Sequence, residues 1–260
     1  MRRPFRSVSF GSLLCFFALY PVLISGTHRT TIAPAGTAAT PNVITTISPV
    51  ITKVKSKEVL FQEEADALYD SIGGKRYGLS KKAFDCALKG YKTMVEKKHL
   101  RNDDVLTICD FSQSSRKKRM FIIDLPGKKM ILNTWVAHGQ NSGGEYARSF
   151  SNSEESHKSS LGFYLTRKSY VGEHGLALKL KGLEKGINDK ADARNIVIHG
   201  SDYVGQSYLR HHRVSGRSHG CPAIPEKDTE KVIYTIKGGS LLFIYHPTKN
   251  YIDKSTILND

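Results

Sequence analysis

The sequence predicts a mainly β domain, a sandwich or barrel, with a helical hairpin before it and one helix near its C-terminal end. Three observations lead there. Short apolar runs recur from Val105 to Tyr245, each bounded by Gly, Pro, Ser or Asn. Helical spacing of apolar residues is confined to the stretch 57–100 and to Glu226–Ile236. A chain of 260 residues, 39% of them apolar, holds one good-sized core plus appendages.

Taken in order, residues 1–26 read as an export signal. Arg2, Arg3 and Arg6 precede an apolar stretch, Val8–Ile24, that Ser9, Ser12 and Pro21 interrupt, and Ser25-Gly26 supplies small residues for cleavage. An uncleaved membrane anchor is the alternative. Residues 27–56, rich in Thr and Ala with Pro34, Pro41 and Pro49, read as a spacer without regular structure. Val59, Leu60, Ala65, Leu68, Tyr69 and Ile72 then fall at mostly helical intervals, and Gly73-Gly74 stops the run. Ser80 is placed to N-cap a second helix through Phe84, Leu88, Tyr91 and Val95. The hairpin of 57–100 is too small to stand alone and is expected to pack on the domain of 101–250.

Strand candidates follow at Val105–Cys109, Met120–Leu125, Met130–Ala137, Gly162–Thr166, Leu176–Leu180, Asn195–His199 and Ser240–Tyr245, with Pro126-Gly127 turning the first hairpin. Glu226–Ile236 suits an amphipathic helix ended by Gly238-Gly239. Gly139–Ser160, rich in Ser, Gly and Asn, reads as a long surface loop of the kind that serves function. Residues 251–260 are left as a tail.

The balance of 39 Lys and Arg against 24 Asp and Glu gives a formal charge of +15. A basic chain invites a nucleic-acid partner, but no nucleic-acid-binding module is present and the leader directs the chain out of the cytoplasm. Anionic envelope polymers, met in the periplasm, are the better match. Beyond the leader stand Cys86, Cys109 and Cys221, an odd number in an exported chain. Cys86 and Cys109 either pair or serve as small buried apolar residues, and Cys221 is left over.

The setting of Cys221 suits a reactive thiol. His199-Gly200 ends an apolar run, and the chain returns as Gly216-Arg217-Ser218-His219-Gly220-Cys221. A thiol with a pKa of about 8.5 is mostly protonated at neutral pH, so a nucleophilic cysteine needs a base beside it. His199, at a strand end, is the candidate, and the amides of His219, Gly220 and Cys221 are candidate donors to an oxyanion. A zinc site from His199, His211, His212, His219 and Cys221 is the competing reading. The spacing is loose and lacks a metalloprotein motif, so no metal is assigned.

His199-Gly200 followed by Ser218-His219-Gly220-Cys221 resembles the signature of the L,D-transpeptidase (YkuD-like) catalytic domain. Ser159-Ser160-Leu161-Gly162-Phe163-Tyr164 is similar to a segment lining that family's site. Ala137-His138-Gly139, Phe150-Ser151-Asn152 and Gly175-Leu176-Ala177-Leu178 look most like the murein L,D-transpeptidase catalytic domain subfamily. The resemblance implies a peptidoglycan acyltransferase. Cys221 would attack a donor stem peptide, its terminal D-residue would leave, and an amine of an acceptor stem would resolve the thioester into a crosslink. It implies His199 as base and acid, Gly200 orienting it, Ser218, His219 and Gly220 shaping the turn, inhibition by carbapenems, and no cofactor. Ser160 is expected to meet substrate. Pro222-Ala223-Ile224-Pro225 stands where many members carry a polar residue, and Arg217 is the nearest replacement to pair with a stem carboxylate. An L,D-carboxypeptidase or hydrolase using the same thioester, or a wall-binding module without activity, are the alternatives.

Overall fold

The computed structural model describes residues 55–173 and 175–260. The expected leader and all but the end of the spacer lie outside the described residues. Helix α1 (Lys57–Ser71) is capped by Ser56, whose hydroxyl accepts from Val59 N at 3.3 Å. A single turn, α2 (Gly74–Tyr77), joins it to α3 (Lys81–Glu96), which Ser80 caps. One face of α3 buries Ala83, Phe84, Ala87, Leu88 and Met94 and packs on the sheet. Gly90 belongs to this face because the Phe163 ring fills the space of its side chain: a Cβ there would lie 2.1 Å from the ring.

The strands are β1 (Val105–Asp110), β2 (Met120–Asp124), β3 (Lys129–Thr134), β4 (Gly162–Gly172), β5 (Gly175–Gly182), β6 (Val197–Ser201), β7 (Ala223–Pro225) and β8 (Leu241–Tyr245). They form one sheet in the order β3-β2-β1-β8-β4-β5-β6-β7. Pairing is antiparallel except at β1–β8 and β6–β7. Every residue of β1 and β8 is buried, which requires cover on both faces. The hairpin helix α3 touches β1 and β8. After the short α4 (Gln206–Leu209), helix α5 (Thr229–Ile236) touches β1, β5 and β6, strands far apart in sheet order. Only a curled sheet allows that.

The curl brings the two edges together. Beyond β3, Ala137 N donates to Ala223 O of β7 at 2.8 Å, and Gly139 and Ser218 form a parallel bridge. The result is a nearly closed, mainly β barrel with α5 against its inner face. Of the two architectures open to the sequence, the barrel is the one adopted.

Two regions differ from expectation. The chain after Cys221 contains β7, too short to announce itself by alternation. Residues 251–260 pack down: α6 (Lys249–Lys254) buries Tyr251, and Ile257 and Leu258 follow it into the core. The anchor is buried Glu184, which accepts from Phe163 N at 2.8 Å and Tyr251 OH at 3.2 Å, and from the Ser255 hydroxyl. A buried carboxylate needs such donors to stay ordered.

Candidate active site

The turn Ser218–Cys221 lies where the two sheet edges meet, and its own side chains close it. The Ser218 hydroxyl accepts from Gly220 N at 3.1 Å and donates to Cys221 O at 2.6 Å. Gly220 sits at φ +125°, a backbone conformation closed to other residues. Behind it, the Ser159 hydroxyl accepts from Gly139 N at 3.0 Å and donates to Gly220 O at 3.4 Å. The Ser-rich loop is therefore a brace for the turn.

Cys221 is half-buried. Its Sγ accepts from Val197 N at 3.5 Å and donates to Asn195 O at 3.6 Å. Burial pushes its pKa up, while the Val197 amide and the positive charge of Arg194 work against that shift. Thiolate formation thus depends on nearby bases and cations. His199 lies opposite Ala177 on β5 and Ala223 on β7, small neighbours that leave room for a ring. Its Nδ1 is 3.0 Å from Gly200 O. A carbonyl only accepts, so Nδ1 carries a proton in this bond. Gly200 thus meets the imidazole through its backbone carbonyl.

The other expected residues fall as follows. Gly220's amide, expected among the oxyanion donors, is committed to Ser218. The amides of His219 and Cys221 have no acceptor among the described residues. His219 is exposed and its ring stacks on His157, centroids 4.2 Å apart and planes 8° apart. Arg217 is exposed, its Nη1 donating to Gln140 O at 3.4 Å and Gly143 O at 3.2 Å, and it borders a recess of about 310 Å³ with Tyr208 and His212. Ser160 is buried and accepts from Arg194 Nη1 at 3.2 Å, with Tyr164 OH 2.7 Å from its hydroxyl. It lines a cavity of about 360 Å³ with Phe150 and Tyr251, and Cys221 is not in that lining.

His211 and His212 sit at the exposed end of α4, His212 stacked on Tyr208. Among the described residues no three His, Cys, Asp or Glu side chains gather to hold a metal ion. Cys86 and Cys109 are unpaired, and burial pushes their pKa values up to about 11 and about 12. They are the small packed residues of the two options.

Sequence reading missed three groups. Arg119 is wholly buried and forms no ion pair with a carboxylate among the described residues. Its Nε donates to Val136 O at 3.1 Å, Nη1 to Gln113 O at 2.8 Å and Nη2 to His138 Nδ1 at 2.7 Å, and the guanidinium lies on the Phe111 ring. Burial and that charge hold His138 down to about 4. The neutral ring donates from Nε2 to Gly143 O at 3.3 Å, which pins the start of the Ser-rich loop. Arg194 is the second, and the third is the bracing role of Ser159, whose segment the sequence singled out without that role. Their partners are remote in sequence, so no local pattern marks them.

The half-buried cysteine meets β6, the strand that carries His199, at the seam of a curled, mainly β sheet. Residues 75–245 match the family model of the L,D-transpeptidase catalytic domain, and the chain belongs to that family. No curated protein sequence matches it. Among solved structures it is similar to an L,D-transpeptidase from Mycobacterium smegmatis at 8% identity and TM-score 0.34, over 55% of this chain and 59% of that one. It is likewise similar to the L,D-transpeptidase LdtMt1 in complex with imipenem, at 8% identity and TM-score 0.34, over 55% and 59%. The helical cell shape determining protein Pgp2 from Campylobacter jejuni matches at 15% identity and TM-score 0.37, over 56% of this chain and 48% of that one. The chain thus spans less than two thirds of the length of each.

Proposed function

We propose that the chain is an exported cysteine acyltransferase that crosslinks peptidoglycan stem peptides. The observation that carries this reading is the seat of the sulfur. Cys221 Sγ lies between the Asn195 carbonyl and the Val197 amide, and His199 follows on the same strand with its Nδ1–H spent on Gly200. Nε2 of His199 takes the thiol proton as sulfur bonds to the donor's carbonyl carbon. The oxyanion lies against the amides of His219 and Cys221. Collapse breaks the carbon–nitrogen bond, and His199 returns the proton to the departing D-residue. The acceptor amine then attacks the thioester and loses its proton to His199, and sulfur leaves as thiolate and recovers that proton from His199. Ser218 and Gly220 hold the turn. Arg217, at the edge of its recess, is the exposed cation for a stem carboxylate. The cycle is complete without metal or cofactor.

The test is incubation with purified tetrapeptide muropeptides. Crosslinked dimers with release of the terminal D-residue are expected. Tripeptide alone would assign the enzyme as an L,D-carboxypeptidase. Neither product, from folded protein with an alkylatable Cys221, would leave the wall-binding module. A carbapenem is expected to add its mass to Cys221 and to nothing in Cys221→Ala. The leader places the enzyme in the periplasm, as cleaved product or anchored protein, and N-terminal sequencing of the fractionated protein separates the two.

A further inference from the structure

We propose that Arg194 is the positioning residue of the catalytic thiol: it holds the turn that carries Cys221 and sets the positive charge behind its sulfur. The geometry is specific. Nη1 donates to Ser151 O at 2.9 Å and Ser160 Oγ at 3.2 Å, while Nη2 donates to Lys158 O at 2.5 Å and Ser156 Oγ at 3.4 Å. One guanidinium fork therefore ties together most of the returning arm of the Ser-rich loop. It also presses on the turn, since Nη2 lies 3.1 Å from where a Gly220 side chain would begin.

The residues just after Arg194 grip the sulfur directly, Asn195 through its carbonyl and Val197 through its amide. Asn195 holds a left-handed φ of +52°, which turns that carbonyl. A single short segment thus supplies the acceptor for the thiol, the donor for the thiolate and a fixed cation. No carboxylate forms an ion pair with Arg194 among the described residues. Glu154 faces it without forming an ion pair, and its charge acts on the sulfur through a half-buried medium, where it counts for more than in water.

Burial pulls the Arg194 pKa down, while Tyr164 of β4, Cys221 and Glu154 of the loop favour its charged form. The sulfur itself is faced by the Val197 amide, Arg194 and Tyr203. His199 stands further along β6, and His219 and His157 lie on the exposed side of the turn. Of these, Arg194 is the group that is charged at every working pH. Arg217, the exposed cation proposed for a stem carboxylate, bonds to the Gln140 and Gly143 carbonyls.

The test reads the thiol and not the reaction, so it stands apart from the proposed activity. The rate of Cys221 alkylation by iodoacetamide is measured from pH 5 to 10 in the full chain, with Arg194→Gln and Arg194→Lys beside the native protein. Cys15, Cys86 and Cys109 are replaced by Ala in all three to leave one thiol. Removing the charge moves the titration to higher pH and slows alkylation at pH 7 about tenfold, the loss of thiolate that one pKa unit represents. Lysine keeps the charge and is expected to stay within about threefold of native. A glutamine variant that folds and titrates like the native protein overturns the proposal, because a purely structural arginine would not move the pH profile. Should the glutamine variant not fold, the lysine variant decides alone: a tenfold loss there overturns it equally.

Discussion

Gly220→Ala tests the turn most directly. The perturbation is one methyl group at φ +125°, with Lys158 O 2.9 Å, Arg194 Nη2 3.1 Å and Ile196 Cδ1 3.3 Å from the new Cβ. A non-glycine residue in so sparse a region costs of order 1–3 kcal/mol. The nearest neighbour is a backbone oxygen that Arg194 already holds, so the methyl cannot be accommodated by rotating a side chain. About 2 kcal/mol of lost stability follows, which for a domain of this size lowers Tm by roughly 4–8 °C. Relief of the strain displaces the adjacent sulfur from the Asn195 carbonyl and Val197 amide. A shift of about 1 Å at a nucleophile costs of order a hundredfold in rate. Thermal unfolding followed by fluorescence and carbapenem acylation followed by mass spectrometry read the two effects separately. An alanine variant with native Tm and native acylation would refute the account of the turn.

Three further outcomes are expected. Cys221→Ser loses nearly all acylation, because a hydroxyl ionises far less readily than a thiol beside the same imidazole; near-native turnover would contradict a thiolate mechanism. His199→Ala keeps the fold and slows acylation by roughly 10²–10⁴, and a native rate would move the base elsewhere, with His219 next to test. His138 makes stability pH-dependent. Its folded pKa is depressed to about 4 from 6.5, so the unfolded chain binds the proton first as pH falls. Its contribution is complete above pH 6.5 and is lost between there and pH 4, about 3 kcal/mol in all. Urea midpoints from pH 7 to 4 are therefore expected to fall less steeply in His138→Gln than in the native protein, and equal slopes would remove His138 from the linkage.

Much of this was legible in the chain itself. The apolar runs mark seven of the eight strands, because alternation and runs of Val, Ile and Leu report which segments are extended and buried. Ser80 marks its helix start, because the capping bond is local: its hydroxyl accepts from Ala83 N at 3.4 Å. The Ser-His-Gly-Cys turn is also local, closed within itself by Ser218 and made possible by one glycine. What periodicity reports is which face of a segment is buried, not which segment covers it.

Sequence by itself therefore determined the kind of elements, their order, and the cysteine and histidine worth watching. Tertiary structure decided the rest, for one physical reason: the remaining groups are satisfied by partners that only the curl of the sheet brings near. Closure of the edges sets Ala137–Gly139 against Ser218–Ala223 and so places the turn. It turns Ser160 into the interior and docks Tyr251, Ile257 and Leu258 against the core around Glu184. It also puts the guanidinium of Arg194, unremarkable in the sequence, behind the sulfur of Cys221.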